Sequence, residues 1–84
     1  MMIEEVGEEI GVIARFQKGK ITPVKFHWSG QTYFVVEVPF KWLSRDGEFP
    51  QFHFSVLATS GDVFELKLDS YRMRWSLENV RMEG

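Results

Sequence analysis

Two histidines, a scatter of carboxylates and three mixed aromatic–basic runs are the residues of this sequence that have chemistry to offer. His27 and His53 are the two imidazoles. With Glu37 or Glu65 they would make a nitrogen–oxygen donor set of the kind that holds zinc. That set requires both rings on one face, which happens only if the strands carrying them flank the strand between. Their spacing matches no ligand motif such as His-x-x-x-His, and exposed strand histidines account for both. As general bases they would need a nucleophile within about 3 Å and a third group to orient the ring. The absence of cysteine removes thiolate metal sites and a Cys nucleophile. Gly7, Gly11 and Gly19 follow no phosphate-loop pattern. The pairs Glu4/Glu5 and Glu8/Glu9 sit where nothing would bury them, so their acidity stays ordinary. The expectation is a chain that is not an enzyme and holds neither metal nor cofactor.

The aromatic–basic runs are Lys25-Phe26-His27-Trp28, Phe40-Lys41-Trp42 and Tyr71-Arg72-Met73-Arg74-Trp75. Single-stranded nucleic acid is held by such mixtures, with rings stacking on bases and cations tracking phosphates. Strand alternation weakens this reading, because it turns Phe26 and Trp28 away from Lys25 and His27. Period-two spacing assigns Phe26, Trp28, Phe52, Phe54 and Phe64 to a core instead. Lys41, Arg72 and Arg74 are left to form a small basic patch beside Trp75 or Trp42. A net charge of −2 gives that patch little long-range pull on phosphate. Phe40, Trp42 and Tyr71 fall beside loops rather than in alternating runs, where exposed rings serve as partner anchors. A protein partner engaged through these three residues is the first expectation. Self-association through exposed edge strands is a variant of it, and nucleic acid is the alternative.

A chain of 84 residues must position these groups with one small core. Apolar residues make up 44%, with eight Phe, three Trp and two Tyr. No apolar run reaches membrane-spanning length. The first residues are acidic where a signal peptide would be basic, so a cytoplasmic protein without a membrane partner is expected. The acids Glu4, Glu5, Glu8 and Glu9 crowd the start, and the rest of the chain is mildly basic.

Ile3, Val6, Ile10 and Ile13 recur at helical steps, but Gly7 and Gly11 oppose a helix. Residues 1–8 are therefore expected to be an acidic head, irregular or briefly helical. A strand is predicted from Glu9 to Gln17, then others over Ile21–Ser29, Thr32–Val38, Gln51–Ser60, Val63–Asp69 and Arg74–Met82. Pro39 interrupts the third, with Phe40–Leu43 as a strand continuation or a short helical turn. Residues 44–50 are expected to form a loop, since Asp-Gly and Pro favour turns. Connections this short exclude parallel crossovers. The fold class expected is mainly β: a single-domain antiparallel meander, residues 9–82, curled into a small SH3-like or OB-like barrel.

The order Pro23-Val24-x-Phe26-x-Trp28-x-Gly30-x-x-Tyr33-x-Val35, then Trp42, Glu65-Leu66, Asp69, Trp75-x-Leu77 and Val80 resembles a family of small bacterial domains of unknown function. Some members are attached to, or encoded near, translesion-type DNA polymerases. The resemblance implies a bacterial protein with a role close to DNA repair. It implies no catalytic residues. Family members carry two bases around the Trp–Gly turn, where this chain has Trp28-Ser29-Gly30-Gln31, so the resemblance does not extend to DNA contact by that turn. Folding accounts for the matched positions: Gly30 allows a tight turn, and Trp28, Tyr33, Val35, Leu66, Trp75 and Leu77 are core-building types.

Overall fold

Period-two alternation produces six strands in a computed structural model, which describes residues 2–82. They are β1 Met2–Gln17, β2 Lys20–Trp28, β3 Gln31–Asp46, β4 Phe49–Ala58, β5 Val63–Asp69 and β6 Arg74–Met82. Each pairs antiparallel with the next, and β6 returns to β1, so the sheet closes on itself as a barrel. Apart from the closing β6–β1 ladder, pairing is between sequence neighbours, without the crossover of a Greek-key OB barrel. Two-residue turns make the first two hairpins possible. Lys18 and Gly19, then Ser29 and Gly30, all take positive φ, the geometry that matches strand twist. Among the described residues none is helical.

The start of the chain differs from its expectation. Residues 2–8 are neither irregular nor helical: β1 begins at Met2 and pairs with β6 from Met2↔Met82 to Ile10↔Trp75. Residue 1 lies outside the described residues. The helical spacing resolves into a bulged strand. The register slips between Glu5 and Glu8, and Gly7 at φ 67° supplies the turn of backbone that a bulge needs. Val6 and Ile10 thereby pack against the core, while Ile3 and Ile13 stay exposed.

The segment 44–50 also differs. It is not a loop, because β3 runs on to Asp46 and β4 begins at Phe49, leaving a tight turn with Gly47 at φ 64°. Pro39 sits within β3, inside the register slip between Glu37 and Phe40 that follows another between Val35 and Glu37. Bulges and edges are where a strand tolerates a residue without an N–H.

The core forms inside the ring, where the inward rows of the strands supply apolar residues. Phe26, Phe54, Val56, Phe64, Leu66, Leu77 and Val80 are buried. Phe64 anchors an aromatic cluster, with ring centroids 5.0 Å from Phe26, 4.8 Å from Tyr33 and 6.2 Å from Trp28. Trp75 packs on Phe54 at 5.5 Å.

The ring is tight at one end and parted at the other. β2 and β3 pair only from Lys25↔Phe34 to Trp28↔Gln31, and beyond that they diverge. The first half of β2 stays with β1 in a two-stranded arm, held down through buried Pro23. The second half of β3 stays with β4 alone. This parting leaves one side of residues 40–46 without a neighbouring strand.

Candidate partner-binding edge on strand β3

The free edge follows from strand lengths: β3 outruns β2, so its last residues have a partner on one side only. Their side chains are unusually apolar for an edge. Phe40 is 68% exposed, Trp42 42% and Leu43 59%. Residues directly opposite in an antiparallel pair share a face. Phe40 opposite Ser55 and Trp42 opposite His53 therefore lie on the outer face, while Lys41 opposite Phe54 and Leu43 opposite Phe52 lie on the inner face.

A concavity adjoins each face. The outer one, about 330 Å³, is bounded by Phe40, Trp42, Ser55, Glu65, Asn79 and Arg81. The inner one, about 340 Å³, lies between β3 and the tip of the β1–β2 arm, bounded by Lys20, Ile21, Lys41, Leu43, Phe52 and Phe54. No carboxylate lines the inner cleft. Arg15, Lys18 and Lys20 border a hollow just beyond it, again without an acid.

Trp42 is held in place by a polar ladder across the outer face. Its ring stacks on His53 at 5.1 Å and 10°. His53 Nε2 shares a 2.7 Å hydrogen bond with Ser44 Oγ. His53 Nδ1 lies 3.5 Å from Glu65 Oε2, and Asn79 Nδ2 donates to Glu65 Oε1 at 2.9 Å. Hydroxyl, imidazole and carboxylate stand in the order of nucleophile, base and orienting acid. The second link lacks hydrogen-bond geometry, however, and Nδ1 is buried without a partner. The His53 ring forms a platform beneath the Trp42 ring.

The residues expected to act together are partly dispersed. Phe40 and Trp42 share the outer face, but Tyr71 sits in the β5–β6 turn, with its ring 4.4 Å from Phe49. It borders a separate hollow with Asp46, Glu48 and Arg72. The basic set is dispersed further. Arg72 bonds Asp69 at 3.1 Å and lies over the Tyr71 ring, and Arg74 faces Glu9 at 3.7 Å. Trp75 is partly buried and packs against the core. Of the four, Lys41 alone lines the cleft.

The two imidazoles share the outer face, since His27 alternates with buried Phe26 and His53 with buried Phe54, but they are held far apart along β3. His27 lies opposite Thr32 and His53 opposite Trp42, which are about 30 Å apart at roughly 3.3 Å per strand residue. His27 Nδ1 is 3.3 Å from Thr32 Oγ1. Among the described residues no three His, Cys, Asp or Glu side chains group to hold a metal ion. Sequence reasoning missed Leu43, Ser44 and Lys20 as parts of this region. Their roles depend on β3 continuing through a segment whose composition reads as a loop.

Beside the edge, Asp69 fixes the β5–β6 turn. Its Oδ1 accepts the backbone N–H groups of Tyr71 and Arg72 at 2.9 and 3.1 Å. The Arg72 N–H is the leading cause that lowers its pKa from 3.8 to about 2; partial burial opposes this, and the Arg72 guanidinium, Gln51 and the Tyr71 N–H assist. A carboxyl depressed on folding stabilises the fold above its unfolded pKa and loses that contribution as pH falls towards the folded one. The Asp69 contribution is therefore present above about pH 4 and lost between about pH 4 and 2. Urea midpoints measured across that range are expected to fall more steeply for the wild type than for Asp69→Asn.

No family model, curated protein or solved structure matches the chain. The fold and site by themselves define a small six-stranded barrel in which β3 beyond its pairing with β2 has an open edge.

Proposed function

We propose that this chain is a non-catalytic binding module that takes an extended segment of a protein partner onto the free edge of β3. One observation carries the reading: residues 40–46 pair with β4 on one side and with no strand on the other, and Phe40, Trp42 and Leu43 among them are exposed. Unpaired N–H and C=O groups on such an edge accept an added strand, and flanking pockets select its alternate side chains. The same groups are a hazard if left idle. Pro39, the two bulges and inward-facing Lys41 are devices that restrain indiscriminate pairing while leaving the edge open.

Amide hydrogen exchange tests this directly. In the free chain, alternate amides of residues 40–46 are expected to exchange fast, because half of them point away from β4. Amides of β4 and β5 are flanked on both sides and exchange slowly. Selection of extended peptides against the full chain should then yield binders that slow the exposed set. Uniform protection of 40–46 in the free chain, or binders that protect only other strands, would refute the proposal.

A nucleic-acid-associated role is the second reading. It is favoured by Arg15, Lys18, Lys20 and Lys41 gathering around the cleft near Trp42 with no acid among the lining residues. It accords with the repair-linked role implied by the family resemblance. Its mark would be oligonucleotide binding that weakens steeply with salt.

A further inference from the structure

The edge is not neutral towards its occupant. On the inner face β3 presents Lys41, Leu43 and Arg45 at successive alternate positions, since Arg45 pairs with Pro50 in the same row as Phe52 and Phe54. On the outer face it presents Phe40, Trp42 and Ser44. Lys20 and Lys41 both line the cleft beside this edge, and no carboxylate does. None of Lys20, Lys41 and Arg45 is in an ion pair among the described residues, whereas Lys67, Arg72 and Arg74 are.

Resting on the reading of β3 as the docking edge, we infer that the occupant is an acidic extended peptide, added antiparallel, with the pattern acid–x–apolar–apolar–acid–apolar. The pattern follows position by position, because directly opposed side chains on one face of a sheet interact. A carboxylate opposes Arg45. An unconstrained residue opposes Ser44. An apolar residue opposes Leu43 and reaches Ile21 and Phe52 in the cleft. A second apolar residue covers Trp42 on the outer face. The next carboxylate lies opposite Lys41, within reach of Lys20. The last apolar residue covers Phe40. Antiparallel addition is chosen because its hydrogen bonds are perpendicular to the strands and stronger per residue than slanted parallel ones. A second copy of this chain paired symmetrically about Leu43 is disfavoured. Edge-to-edge pairing about Leu43 would set Lys41 opposite Arg45 twice, and opposed like charges destabilise a sheet.

The test is a titration of the isotopically labelled full chain with a synthetic peptide carrying this pattern, read by amide chemical shifts. A second peptide carries Lys at both acidic positions, and a single-stranded oligonucleotide is the third probe. The acidic peptide is expected to shift amides in 40–46 and 19–21 and to bind about tenfold more tightly than the Lys version. Lys41→Glu, at an exposed position, should remove that preference, and Lys20→Glu serves if that variant does not fold. Equal binding of both peptides at the same amides would overturn the acidic occupant and leave the docking edge standing. No peptide shift in 40–46 would overturn both. An oligonucleotide that shifts these amides while neither peptide does would assign the cleft to nucleic acid and overturn the proposal.

Discussion

Phe64→Ala is expected to leave most of the chain unfolded at room temperature. The ring is buried and sits within 6.2 Å of Phe26, Tyr33 and Trp28, so its removal takes away the centre of the aromatic cluster at once. Truncating a buried Phe costs about 3–5 kcal/mol, because the surroundings collapse only partly into the space. A single core in a chain this short supplies roughly 3–5 kcal/mol of net stability. The loss therefore matches the whole. Far-ultraviolet dichroism and Trp emission across a urea series would measure it. A folded variant with an unchanged midpoint would show that the cluster is not the keystone of the barrel. Phe34→Ala, on an exposed ring of the same strand that carries Tyr33, is expected to change little and serves as the control.

Removing residues 2–8 is expected to be as damaging, although these residues are acidic and mostly exposed. They form most of the β1–β6 ladder, which closes the ring. Without them β6 becomes an open edge. Val6 no longer covers the core, a loss of about 1.5–3 kcal/mol for a Val that is fully buried and less for one partly so. Each ladder hydrogen bond forgone removes roughly another 0.5–1.5 kcal/mol. An exposed β6 edge also invites pairing between chains. The shortened chain should run as aggregate or unfolded monomer on size exclusion, with a lost or broadened thermal transition. A folded, monomeric product of normal stability would mean that the barrel closes without its first strand half.

These results bear on function because the closed side of the barrel rigidifies the open one. β4 is paired on both sides, so it holds β3 straight from Phe40 to Asp46 and presents its far edge in a fixed geometry. The Ser44–His53 hydrogen bond then fixes the imidazole on which the Trp42 ring stacks. An edge ordered before it binds gives up less entropy on binding. The docking proposal thus asks for little rearrangement beyond the β1–β2 arm tip, where Gly19 lines the cleft.

Much of the architecture was legible in the residues. Alternation in Phe52–Phe54–Val56 and Phe64–Leu66–Leu68 marks two strands with one buried face each, and the structure buries those rows. Lys-Gly, Ser-Gly and Gly-Asp turns separate strands too closely for anything but antiparallel pairing. Those features are local, since side-chain period and turn chemistry act within a few residues.

Long-range pairing decided the rest. Glu4, Glu5 and Glu8 carry no strand signal, yet β6 needs a neighbour and recruits them, with Gly7 absorbing the slip in register. Ser44–Pro50 has loop composition, yet β4 extends β3 through it and so creates the free edge. Lys41 and Trp42 are adjacent in sequence, but alternation sends them to opposite faces, Lys41 opposite Phe54 and Trp42 stacked on His53. Arg72 and Arg74 read as companions of Lys41 until Asp69 and Glu9 arrive beside them. Composition and spacing thus determined the strands, turns and core of this protein. Which charges stay unpaired, and which strand edge stays open, depended on partners distant in sequence, and only closure of the barrel brings those together.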